Sequence, residues 1–281
     1  TFTLFTTKKY PTDDYTWRGK VINIENSSSI KTNIEGPKYS ALSETKTATL
    51  PLEIQKLKDE VELVVQSKKL KLKKGKFSDW VSLEFKIDFF THVKGIAKFY
   101  LKSISPEFEL YLSPINYDPE APVRPISTPS DFSPKLSREL GKFSTLGLPH
   151  DTWALEEDVF DEDAFLAQAE SILSERRKIY YSQLAKFKNG LFVAYFGMPD
   201  TMSHMFWRFL DDPKSKYVNT INDYYGRMDE IVGETLQRVD SNTTLIVLSD
   251  HGFSSFDYEM NVNSWLKENG YLVLKEDERR G

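Results

Sequence analysis

The pattern of apolar and polar positions changes character near residue 115. Before it, short alternating runs dominate: GKVINIEN, ATLPLEIQ, EVELVVQ, KLKLKKGKFSDWVSLEFKIDFF, GIAKFYLKSI and EFELYLSPI. They are rich in β-branched and aromatic residues and broken by Gly, Pro, Asn and Ser. Residues 1–115 therefore read as a β-rich domain. In WVSLEFKIDF, the apolar Trp80, Val81, Leu83, Phe85, Ile87 and Phe89 mostly follow a period of two, which predicts one buried face. A Pro-rich passage over 116–150 follows. Aromatic residues and Leu punctuate it, so it reads as an ordered connection.

Helical spacing takes over in 151–281. One stretch, FDEDAFLAQAESILSERRKIYYSQLAKF, opens with acids and spaces Phe165, Ala169, Ile172 and Leu173 along one face. A second, SKYVNTINDYYGRMDEIVGETLQRV, places Val218, Ile221, Tyr225, Met228, Val232 and Val239 on a stripe, with Ser215 as a candidate N-cap. Between and after these lie two continuous apolar runs, LFVAYFG (191–197) and TLIVLS (244–249). Such runs predict strands covered on both faces in a parallel sheet. With a last short strand expected in GYLVL, the order of helices and strands predicts an α/β core.

Composition narrows the function classes. The net charge of −5 gives no general attraction to nucleic acid, so no nucleic-acid-binding surface is expected. The absence of Cys excludes disulfides, thiol catalysis and cysteine metal sites. It leaves the compartment open, cytoplasmic or extracytoplasmic. No apolar run approaches the roughly 18 residues of a membrane span. The first twenty residues do not follow the order of a signal peptide. The basic SKKLKLKKGK alternates Lys with Leu70 and Leu72, as an exposed edge strand guarded by lysines does.

The two apolar runs end in the same kind of chemistry. After the first, Asp200 and His204 are spaced D-x-x-x-H; the second runs directly into Asp250-His251-Gly252. In open α/β sheets ligands sit beyond the carboxyl ends of strands, so these four side chains would gather at one sheet edge. On a helix, residues four apart share a face. Carboxylate oxygen with imidazole nitrogen suits Zn²⁺, Mn²⁺ or Fe rather than Ca²⁺. Two Asp-His pairs suggest two metals, the arrangement that steadies both attacking and leaving oxygens of a phosphoryl transfer. Gly252 would let the backbone turn sharply beside the ions. Against this, an Asp at a helix start is commonly only a cap. Burying Asp-His at a strand end, by contrast, is costly unless something pairs with it.

Other residues have plainer readings. Phe206, Trp207 and Phe209 suit core packing better than a substrate pocket, and Arg208 suits an ion pair as well as a phosphate. Asn261 and Asn263 read as turn or cap residues. The acids of 156–163 lack the Gly of a Ca²⁺ loop and read as a solvated helix start. His92 and His150 have no partner motif.

The stretches GMPDTMSHMFWRFLDDP and SNTTLIVLSDHGFSSFDYEMNVNSWLKENGYLVL resemble the alkaline phosphatase superfamily, and within it the type I phosphodiesterase/nucleotide pyrophosphatase group. FYLKSISPEFELYLSPINYDP and PISTPSDFSPKLSRELGKF resemble a branch of predicted phosphohydrolases. The resemblance implies an alkaline-phosphatase-like α/β core, a mostly parallel sheet flanked by helices, carrying the β-rich part as an insertion. It implies two divalent metals, zinc before manganese or iron, one on Asp200 and His204 and the other on Asp250 and His251. It also implies a strand-end Asp, a Thr or Ser nucleophile that forms a phosphoenzyme, and a late His. No strand–Thr/Ser–helix pattern precedes Asp200, and no His follows His251.

The expectation is therefore a hydrolase acting on a small phosphorylated substrate, with the nucleophile and both ends of its catalytic domain outside this segment. The isolated 281 residues are expected to bind a divalent metal weakly and turn over little phosphodiester. A catalytically inactive module that engages a partner or glycan is the competing reading. A sulfatase or phosphate-mutase relative is another, because the metal ligands overlap.

Overall fold

The computed structural model describes residues 1–10, 18–41, 44–88, 90–256 and 258–275. The chain is mixed α/β, with six α-helices and several sheets among these residues. It divides into two compact units, Thr1–Met198 and Pro199–Gly281.

All the described strands lie in the first unit; β2 and β4 to β10 overlap the alternating runs of the sequence, whereas β1, β3 and β11 lie outside them. One sheet joins β1 (Thr3–Thr6), β2 (Lys20–Asn23), β9 (Phe99–Ser103) and β10 (Glu109–Leu112), in the order β2-β1-β10-β9. A second joins β7 (Val81–Lys86), β8 (His92–Ala97) and β11 (Asn116–Tyr117), in the order β11-β8-β7. The third is a meander of β3 (Ser29–Ala41), β4 (Glu44–Lys56), β5 (Glu60–Val65) and β6 (Lys68–Lys73).

Period-two burial is plainest in β5, where Val61, Leu63 and Val65 point inward while Glu60, Glu62 and Val64 are only half-buried. The inward residues join Ile30, Ile34, Leu52, Ile54, Leu83 and Phe85 in one apolar core. The predicted alternation of β7 holds at Leu83 and Phe85, both fully buried; Phe89 lies outside the described residues. Gly36 sits where β3 shifts register against β4, and a Cβ there would lie 2.3 Å from the Phe85 ring. Only a residue without a side chain lets β3 cross Phe85 at that distance.

The lysine-rich β6 ends its sheet, as the sequence suggests. Its Lys69 and Lys71 reach across to Glu62 and Glu60 at 3.1 and 3.6 Å. Exposed pairs of this kind stabilise little and serve mainly to keep the edge polar.

Three helices complete this unit: α1 (Phe132–Leu140), α2 (Thr152–Glu156) and α3 (Glu162–Lys186). The Asp161 carboxylate accepts a hydrogen bond from the Ala164 amide at 2.8 Å and caps α3. Phe165, Ala169, Ile172 and Leu173 form its buried stripe, as the spacing predicts. Just before α3, Phe160 packs among Phe77, Tyr100 and Tyr111, with ring centroids 5.5, 5.4 and 4.5 Å away. The Tyr111 hydroxyl donates to Asp151 at 2.7 Å, and Asp151 in turn caps α2 by accepting from the Ala154 amide. Burial, reinforced by the Asp151 charge, pushes the Tyr111 hydroxyl well above its usual pKa. Next to this pair, burial and then the Arg176 charge lower His150 to about 4, so its ring is neutral at physiological pH.

The second unit holds the rest of α4 (Met198–Phe206), then α5 (Thr220–Leu236) and α6 (Val262–Glu268). The Asn261 side chain accepts from the Ser264 amide at 2.9 Å and caps α6. Helix α5 corrects the sequence reading. It begins after Asn219, while Ser215 instead accepts from the Tyr217 amide within a preceding turn. Its buried residues are Thr220, Ile221, Tyr224, Ile231 and Thr235, and Tyr225 is exposed. Turns over 210–219 precede the helix, so Val218 lies outside it, and the buried stripe runs through Tyr224 and Ile231 in place of Tyr225 and Val232.

The larger difference concerns the sheet. Segments 191–197, 244–249 and 270–274 form no strand, and of the described strand pairs only β1 with β2 is parallel. A strand exists by virtue of a hydrogen-bonded neighbour, and none of the described segments pairs with these runs. Most of their apolar side chains are exposed, Leu191 at 87% and Leu248 at 80%, while Phe192 and Phe196 pack against Tyr180. Among the described residues, no helix is long and apolar enough to cross a membrane.

Candidate metal centre

All four sequence-predicted donors belong to the second unit. Asp200 lies in the first turn of α4 and His204 in its last, one helical turn apart. Met202, Ser203 and Phe206 on the same helix are buried to within 1%. Burial of that side fixes the rotation of α4 and leaves Asp200 and His204 partly open to solvent. Asp250 and His251 follow the apolar 244–249 run in an irregular segment.

These side chains approach one another in pairs. Asp200 Oδ1 lies 3.5 Å from His204 Nε2 and 3.8 Å from His251 Nε2, and His251 Nε2 lies 3.7 Å from Asp250 Oδ2. Two donors of a tetrahedral zinc, each about 2.0–2.1 Å from it, are about 3.3 Å apart. Each pair is therefore close to the separation at which both atoms bind one ion. Among the described residues, however, no group of three or more His, Asp or Glu side chains is arranged to hold a metal. The donor chemistry fits a divalent ion pair by pair, with Asp200 as the shared member.

The His251 ring is also oriented from behind. Its Nδ1 lies 2.8 Å from the Gly252 carbonyl, which makes Nδ1 the donor and leaves Nε2 as the nitrogen facing the two carboxylates. That carbonyl, followed by the Asp250 and Asp200 charges, raises the pKa of His251 above its ordinary value of 6.5. The Ser249 hydroxyl donates to the His251 carbonyl at 2.6 Å and tightens the same corner. Gly252 departs from expectation. Its backbone does not use the left-handed region, and a Cβ there would meet nothing within 4 Å.

The aromatic residues after His204 divide between two roles. Phe206 is buried and packs with Phe209 and Tyr217 at 5.8 and 5.7 Å, the core reading. Arg208 lies over the Phe209 ring at 5.0 Å. Trp207 instead meets Phe253 at 5.0 Å, and Phe253 also stands edge-on to His204 at 4.8 Å with 87° between the ring planes. The sequence reading passed over Phe253; its only signal was an aromatic residue immediately after Asp-His-Gly. Of the other histidines, His92 faces Glu84 at 3.1 Å on neighbouring strands, and His150 is held neutral by burial and by Arg176 of α3. Neither bears on the centre.

Residues 58–280 match the sequence pattern of the family described as type I phosphodiesterase / nucleotide pyrophosphatase. The chain belongs to that family. The match takes in Asp200, His204, Asp250 and His251 and extends back through about half of the β-rich part, covering well over half of the chain. No curated protein and no solved structure matches. Family membership makes the chain part of a phosphoester hydrolase family.

Proposed function

We propose that this chain carries the metal-binding part of a phosphodiesterase or nucleotide pyrophosphatase with a two-metal site. The observation that carries the reading is the approach of Asp200 to both His204 and His251 within one unit, in a chain of this family. Asp200 and His204 would hold one ion, and Asp250 and His251 the other. Zinc suits the O and N donors best, and manganese or iron fits the same set. When bound, such ions supply the positive charge that steadies the attacking and leaving oxygens of a phosphoryl transfer. The chain's own contribution is to hold the donors. The α4 turn sets Asp200 over His204, and the Gly252 carbonyl fixes which His251 nitrogen faces the carboxylates.

In the same reading, residues 1–115 form a β-rich insertion, 116–150 an ordered connection and 151–281 the metal-binding part of the catalytic core. The exposed apolar runs 191–197 and 244–249 become strands of a mostly parallel sheet once chain from outside these residues pairs with them. That additional chain also brings the Thr or Ser nucleophile.

Relative turnover of three chromogenic substrates by the intact gene product tests the reading. Bis-p-nitrophenyl phosphate is expected to be hydrolysed in preference to p-nitrophenyl phosphate and p-nitrophenyl sulfate, with little turnover by the isolated 281 residues. A preference for the sulfate ester, or no hydrolysis of any of the three, would contradict it. Robust diester turnover by the isolated residues would refute the external nucleophile.

A further inference from the structure

We propose that Phe253 is a positioning residue for His204, so that the loop carrying one Asp-His pair also orients the other. This inference rests on the reading of His204 as a metal ligand. His204 is 57% exposed at the end of a helix, and its two side-chain torsions leave the imidazole free to sample several directions. Phe253 stands edge-on to it, centroid to centroid 4.8 Å at 87°, the arrangement that aromatic quadrupoles favour. Trp207, three residues along from His204, packs on Phe253 at 5.0 Å with 40° between the rings and limits the rotation of the phenyl ring. Phe253 is two residues beyond His251, whose own ring is held by the Gly252 carbonyl. One short segment, 250–253, therefore carries Asp250 and His251 and fixes the direction of His204.

An edge-to-face aromatic contact is weaker than the hydrogen bonds that usually orient a metal-binding imidazole, so its loss changes metal affinity by about 2- to 10-fold. The test is zinc affinity by titration calorimetry on the intact gene product, comparing His204→Ala, Phe253→Ala, Phe253→Leu and Phe253→Tyr with the parent. Phe253→Ala and Phe253→Leu are expected to weaken binding by about 5- to 10-fold. Phe253→Tyr, which keeps the ring edge, is expected to stay within about 3-fold of the parent. Leucine supplies the decisive value if alanine disturbs folding. Loss of affinity in His204→Ala with no loss in Phe253→Ala or Phe253→Leu would overturn the positioning role alone. So would equal losses in Phe253→Tyr and Phe253→Leu. An unchanged affinity in His204→Ala would instead refute the metal reading on which the inference rests.

Discussion

Replacing Asp200 with alanine is expected to lower phosphodiester turnover of the intact gene product on the order of 10³-fold, with folding intact. The size follows from position. Asp200 is the donor that both imidazoles approach, so its loss disturbs both proposed ions, and removing a single preorganised charge-stabilising group costs about 10² to 10³ in rate. Folding is spared because the carboxylate is 43% exposed and its pairing with His204 is an ordinary i,i+4 contact. Such a contact contributes about 0.3–0.5 kcal/mol. Asp200→Asn sharpens the comparison, since it keeps a polar first turn on α4 and removes the charge. Steady-state kinetics beside a thermal melt measure both halves. Turnover within a few-fold of the parent in a fully folded variant would remove Asp200 from the centre.

Phe160→Ala is expected to destabilise the Thr1–Met198 unit by about 3–5 kcal/mol, near the upper end for a single truncation. Phe160 is 2% exposed, and three aromatic rings lie around it. Two of those contacts are edge-on, at 79° and 80°, and such pairs contribute beyond their buried area. The cavity would open beside Tyr111, whose hydroxyl is committed to Asp151, so the site has little freedom to collapse. Phe160→Leu retains most of the volume and should lose less than half as much. Urea midpoints for the two variants read this directly. A shift below about 1 kcal/mol for alanine would show that the cluster is not a packed core.

What was legible in the sequence followed from local regularity. The alternating runs quoted from the first 115 residues announce their strands, and β5 and β7 keep that alternation in their burial. Helix α3 was readable because its acidic start and apolar stripe agree, and the stripe lies where the spacing puts it. The D-x-x-x-H pair was readable because helical geometry alone brings residues four apart together.

The failures are of a different kind. Segments 191–197 and 244–249 have the composition of buried strands, but a strand is a relation between two segments, and composition does not name the second. The stripe on α5 runs one residue away from the expected one at Tyr224 and Ile231, because neighbouring apolar positions on a helix compete for the buried face and packing decides between them. Gly252 is expected to let the backbone turn sharply, whereas its backbone does not use the left-handed region and the His251 contact runs through its carbonyl. Phe253 escaped notice because the residue it serves is 49 positions earlier, a pairing that tertiary structure alone establishes.

The central claim is that Asp200, His204, Asp250 and His251 form a two-metal centre. Elemental analysis of the intact gene product, stripped with chelator and reconstituted with zinc, tests it most directly. Two zinc ions per chain are predicted for the parent, with loss of bound zinc when Asp200 and His204, or Asp250 and His251, are replaced together by alanine. Zinc no higher than background in the reconstituted parent, or the same zinc content in parent and variants, would contradict the account.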